Sequence, residues 1–171
     1  MAVALFSSEL SGLQRDVAMA LAEGLTLTSQ SQRFSTWSAA EGAIKYLVSL
    51  LHTRSSDVWR CAAAALHACA IGGMALEIVA AGGIPPLVQL ASHVRVQVEA
   101  ACALQAMLQE AGAPTQMLSL GAVGMFAAQL PGSTPAVRWS LTKILKALTV
   151  STANGQRPPA SAQRKLAAVK P

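Results

Sequence analysis

Ala81–Ala91 reads AGGIPPLVQLA, and forty residues earlier Glu41–Leu51 reads EGAIKYLVSLL. A weaker third version, GAVGMFAAQL, runs from Gly121 to Leu130. The glycines Gly42, Gly82 and Gly121 that open these copies fall 40 and 39 positions apart. Each copy is followed by a second signal: VWRCAAAALHACA from Val58, VQVEAACALQAML from Val96 and VRWSLTKILKAL from Val137. The pairs Val58 and Leu66, Val96 and Leu104, Val137 and Leu145 are each eight residues apart. Three pairs in phase mark an internal repeat of about 40 residues, and such units bury their apolar faces by stacking on one another.

The local signals are helical. IKYLVSLL and IPPLVQLA place apolar residues at i, i+3, i+4 and i+7, the buried stripe of an amphipathic helix. Pro85 suits a first helical turn, where its missing N–H costs nothing. Ser56 is the expected N-cap of the helix that holds Val58, and Thr134, followed by Pro135, that of the helix that holds Val137. No alternation of β-branched residues suggests a strand. The fold class is therefore all-α, with units at 41–80, 81–120 and 121–150. A partial unit or cap is expected at 1–40 and a flexible basic tail at 151–171, where STANGQRPPASAQRKLAAVKP has no apolar period.

A glycine turn, a short helix and a long Ala-rich last helix in about 40 residues resemble the armadillo repeat, AGGIPPLVQL being the most specific stretch and 41–150 the span covered. The third copy departs from the pattern at Gly124 and ends its first helix early at Pro131–Gly132. The resemblance implies a right-handed α-solenoid in which the last helix of each unit lines a concave groove. In the importin-α branch that helix carries a Trp and, four residues on, an Asn that clamps the backbone of an extended peptide. The matching Trp positions here are Ala64, Cys102 and Lys143, and the matching Asn positions are Ala68, Ala106 and Ala147. Every clamp residue is absent, and Lys143 would repel a basic nuclear-localisation peptide.

Charge is scarce at 12%, against about 25% in ordinary soluble domains, and it is unevenly placed. Residues 1–120 carry six Lys/Arg and eight Asp/Glu, a balance of −2; residues 121–171 carry seven Lys/Arg and no acid, a balance of +7. A field of that sign favours an acidic protein segment, an anionic membrane or nucleic acid. The tail cations Arg157, Arg164, Lys165 and Lys170 have no aromatic residue among them, which argues against stacking on single-stranded nucleic acid. The first residues lack the cationic start of a secretory signal and carry Glu9, Asp16 and Glu23. The longest apolar run, from Cys61 to Ala91, is cut by Glu77, two glycine pairs and Pro85–Pro86, so no spanning helix is expected. Three cysteines do not make a disulfide framework. These features together point to an intracellular, cytoplasmic protein, with nuclear, cytoskeletal or ciliary placements as variants.

No catalytic constellation is present. His52, His67 and His93 have no metal-spaced partners, and no metal or cofactor is expected. Cys61 and Cys69, eight apart on one helix, read as packed thiols. Gly72–Gly73 and Gly82–Gly83 lack the strand and the Lys-Ser/Thr of a phosphate loop. The protein is read as a non-enzyme. On the groove helices, Arg60, Trp139, Lys143 and Lys146 are the candidate partner-binding residues, Trp and Arg being the side chains most enriched in binding hot spots. The expected function is a scaffold that takes an acidic extended segment in the groove, as the β-catenin branch does. A structural subunit of a large cytoskeletal, ciliary or trafficking assembly, its solenoid ends covered by neighbouring subunits, is one alternative. A nuclear-transport adapter, or binding of nucleic acid or an anionic membrane through the tail, is another.

Overall fold

The computed structural model describes residues 12–17, 19–20, 37–110 and 112–153. Residues 12–17 and 19–20 are helical. The helices that follow are α1 (Trp37–Leu50), α2 (Ser56–Cys69), α3 (Ala75–Ala80), α4 (Ile84–Leu90), α5 (Gln97–Ala106), α6 (Ala113–Ser119), α7 (Ala122–Gln129) and α8 (Pro135–Ala153). No strand occurs among the described residues. The chain is an all-α solenoid. The basic-tail residues Arg157, Arg164, Lys165 and Lys170 lie outside the described residues, as does the stretch SAQRKLAAV.

The long helices α2, α5 and α8 stack side by side in chain order. The helices α1, α4 and α7 back them, α1 on α2, α4 on α5 and α7 on α8, and the short α3 and α6 pack against α1 and α4 respectively. The stack follows the sequence register. Val58, Val96 and Val137 are buried, as are Leu66, Leu104 and Leu145. The helices α2 and α5 pack on each other, and Ala62, Ala63 and Ala65 on the one and Ala100, Ala101 and Ala103 on the other are all fully buried. Side chains this small let helix backbones approach closely, so successive units share one continuous core.

The turns that set the stack come from glycine. Ala81 caps α3, Gly82 follows at φ 75°, and the Gly82 and Gly83 N–H groups donate to Val79 O and Ile78 O at 3.1 and 2.9 Å. This left-handed close satisfies carbonyls that the helix end leaves open, and only glycine adopts it without cost. Gly121, 39 residues on, repeats it at φ 70°. At Gly83 the demand is space instead: an added Cβ would stand 2.7 Å from Ile78 Cγ2.

Gly42 does not play this part. It lies inside α1, which begins five residues earlier at Trp37, so the first copy enters its helix without the glycine turn that the spacing predicts. Ser56 is likewise not a cap: the N-cap position of α2 falls on Ser55, whose side chain makes no capping bond, and Ser56 Oγ accepts a 3.3 Å bond from Arg95 Nη1 across to the next unit. Thr134 does cap α8, its Oγ1 accepting from the Val137 N–H at 3.5 Å. Pro85 sits in the first turn of α4 as expected.

The stretch Ser56–Ala80 is long and apolar enough to span a membrane by length and composition alone. Half of that stretch is packed into the core, Val58, Leu66, Cys69, Met74 and Ile78 among it, while Ile71 and Leu76 are exposed, and Gly73 breaks the helix at φ 88°.

Candidate functional site

The buried register fixes which residues face outward along the α2, α5, α8 stack. Arg60, Val98 and Trp139 occupy equivalent positions, one turn from Ala64, Cys102 and Lys143, and two turns from Ala68, Ala106 and Ala147. None of the nine is buried. The floor of this face is thus Ala and Cys on α2 and α5, and it turns cationic and aromatic on α8.

Trp139 is 56% exposed and does not close the end of the core. Lys143, one turn on, lays its Nζ 3.7 Å from the centre of the indole ring. A cation over an aromatic face is held by the ring quadrupole, by about 0.5–1 kcal/mol at exposed sites. The contact holds a long side chain against the exposed face of α8. Beside it, Cys102 Sγ and Ser140 Oγ stand 3.8 Å apart and join α5 to α8.

A cleft of about 470 Å³ opens between α5, α6 and α8, lined by Gln105, Leu108 and Gln109, by Pro114, and by Lys143, Lys146, Ala147, Val150 and Ser151. That volume is in the range of ligand sites, roughly 300–1,000 Å³. Two cations and no carboxylate line it. The structure therefore brings Trp139 and Lys143 into contact and places Lys143 and Lys146 in one cleft. Arg60 is exposed on α2, two helices away, and is not among the residues that line it. Gln105 and Gln109 went unnoticed in the sequence. The signal was the register itself, since Gln105 stands to Leu104 as Lys146 stands to Leu145.

Burial governs the titration of three other groups on α2. Burial pushes the Cys69 thiol up to about 12, so it holds its proton at neutral pH and is no nucleophile. Cys61 is also raised by burial, though Arg60 and Arg15 pull the other way. His67 is lowered by burial, which disfavours its charged form. Among the described residues, no group of three or more His, Cys, Asp or Glu side chains could hold a metal ion.

Residues 74–105, which run from the start of α3 almost to the end of α5, match the Armadillo/beta-catenin-like repeat family. Over these residues the chain carries an armadillo-type repeat. Its solenoid is similar to crystal structures of engineered proteins solved by a structural genomics consortium. One is 25% identical with a TM-score of 0.71, over 92% of this chain and 62% of that one. A second is 26% identical with a TM-score of 0.68, over 91% of this chain and 62% of the other. In a third, 26% identical with a TM-score of 0.68, this chain covers 37% of the engineered protein. The chain thus spans about three-fifths of the first two engineered proteins and 37% of the third. No match is found among curated proteins. Armadillo solenoids commonly mediate protein–protein interaction.

Proposed function

We propose that this armadillo-type chain is a non-catalytic scaffold that docks an acidic extended segment of a protein partner in its groove, over the C-terminal half. The observation that carries the reading is the α5–α8 cleft, with Lys143 and Lys146 on its wall and no carboxylate to neutralise them. Cationic walls beside the apolar Leu108, Pro114 and Val150 suit a segment that alternates acidic and apolar residues. Trp139 is the exposed aromatic anchor next to it, and Arg60 extends the cationic face towards α2. The free thiols Cys61, Cys69 and Cys102 suit a reducing intracellular compartment.

The test is affinity capture from native lysate at two salt concentrations, with the intact chain and a Lys143→Glu/Lys146→Glu variant as baits. Specific proteins held by the intact chain and lost by the variant support the reading. Equal capture by both sinks it. A second reading, in which neighbouring subunits cover the solenoid ends, draws on Leu13, 63% exposed, and Met19, 46% exposed, near the N-terminus. Light scattering that shows a clean monomer at high concentration argues against that one.

A further inference from the structure

We infer that the stack of units closes at α8: this helix turns a hydrated, cationic face outward, on which no further armadillo-type unit docks. The inference is independent of the groove reading. Each long helix has four positions, spaced i, i+4, i+8 and i+11, that lie on one stripe. On α2 they are Trp59, Ala63, His67 and Ala70, all buried or half-buried. On α5 they are Gln97, Ala101, Gln105 and Leu108, again buried or half-buried. The same register on α8 gives Arg138, Thr142, Lys146 and Thr149, and all four are exposed. The stripe is covered in the two helices that have a successor in the stack and open in the third, so it is the face turned to the following unit. An end helix is exposed whatever it carries; the residue types are what close this one.

The first position shows the change. The Trp59 ring lies 5.3 Å from the ring of His93 in the following unit, and Gln97 Nε2 donates to Gln129 Oε1 of the following unit at 3.0 Å. Arg138 instead donates through Nη2 to Ser133 O of its own unit at 3.2 Å. At the second position Ala63 and Ala101 leave room for a neighbouring helix. Thr142 fills that room, and its hydroxyl donates to Arg138 O at 2.7 Å. At the fourth, Thr149 stands in the place of Ala70 and Leu108, its hydroxyl donating to Lys146 O at 2.7 Å. A unit laid on this face would desolvate the Arg138 and Lys146 charges and meet added bulk at Thr142, and both are unfavourable. The way out of the helix agrees. Gly73 and Gly112, at φ 88° and 93°, turn the chain from α2 into α3 and from α5 into α6. At the equivalent Thr152 and Ala153, α8 is still helical. A polar outer face is what ends a solenoid, and here four side chains of one helix supply it. Coverage by a stacked subunit of like fold is thereby confined to the N-terminal end.

The probe is an added unit. In the full chain, residues 150–153 are replaced by a copy of residues 71–110, which brings the glycine turn and the next unit in register with α8. With the native stripe, thermolysin should remove the added unit while the rest of the chain persists, and the melting temperature should stay at that of the parent. The second protein carries the stripe of α5, by Arg138→Gln, Thr142→Ala, Lys146→Gln and Thr149→Leu. Removal there should be about tenfold slower, since cleavage follows the undocked population and burial of the one leucine is worth that factor. It should also melt in one transition above the parent. An added unit that resists on the native stripe as well as on the stripe of α5 overturns the inference. Equally rapid removal from both overturns it too, because the four residues are then not what closes the face. If the fourfold variant does not fold, Thr142→Ala/Thr149→Leu takes its place and is judged by the same two comparisons.

Discussion

Helices α5 and α8 carry the same buried register and opposite groove faces. Val96 and Val137, Ala100 and Leu141, Leu104 and Leu145 are paired positions in the core. Two residues on from each, Val98, Cys102 and Ala106 on α5 are answered by Trp139, Lys143 and Ala147 on α8. The stacking face is constrained because each side chain must fill the space its neighbour leaves. The groove face meets only solvent or a partner, so the difference between the two helices there is free to carry function. Where α8 departs from α5, at Trp139 and Lys143, is where the candidate site lies.

The comparison breaks most readily in the core. Leu104→Ala and Leu145→Ala should each cost about 2–5 kcal/mol of unfolding free energy in denaturant titration, the usual range for buried leucines. A cost under about 1 kcal/mol at Leu145 would show that α8 does not share the register. Next comes Gly83→Ala, where the new Cβ meets Ile78 Cγ2 at 2.7 Å and Ile78 O at 3.1 Å. Overpacking of this kind costs about 1–3 kcal/mol; a neutral result in thermal melts would mean that the α3–α4 close is looser than described.

Alkaline pH probes the α2 side. The Cys69 thiol is raised from an ordinary 9.0 to about 12 in the folded protein. Above pH 9 the unfolded chain gives up this proton while the folded one keeps it, so stability falls from pH 9 towards 12. Below 9 the contribution is complete. Denaturation followed across that window should show the decline, and a flat profile would mean that Cys69 is wetter than its burial implies. The smallest effect belongs to the groove face: Trp139→Ala should change stability by no more than about 1 kcal/mol, the value of an exposed cation–π contact. A larger loss would place Trp139 in the packing and remove the distinction between the two faces.

Most of the architecture was legible because burial imposes a period. The spacing of Val58, Val96 and Val137 and of their leucine partners survives wherever helices must stack, and it reads directly from the chain. Local turns were less legible. Gly42 has the spacing of Gly82, yet helix α1 runs through it, because a glycine in a helix and a glycine that closes one look alike until the preceding residues are placed. Ser55 and Ser56 are adjacent and chemically equivalent as caps; the Arg95 contact that engages Ser56 comes from the next unit. Among the site residues, Lys143 and Trp139 were found through the register. Gln105 was passed over because the family's clamp position falls on Ala106, and Pro114 because the cleft is closed by α6, which is not on the groove helices at all.

The alanines of the groove have a thermodynamic consequence. Ala64, Ala68, Ala106 and Ala147 have no rotamers, so a ligand laid over them freezes no side-chain motion. Ordering falls instead on Gln105, Gln109, Lys143 and Lys146, at about 0.5–1.5 kcal/mol for each rotamer-rich side chain immobilised. Lys143 is already settled on the Trp139 ring and has less freedom left to lose. A floor without entropy and one prearranged cation make this a surface on which a weak, brief contact can still be selective.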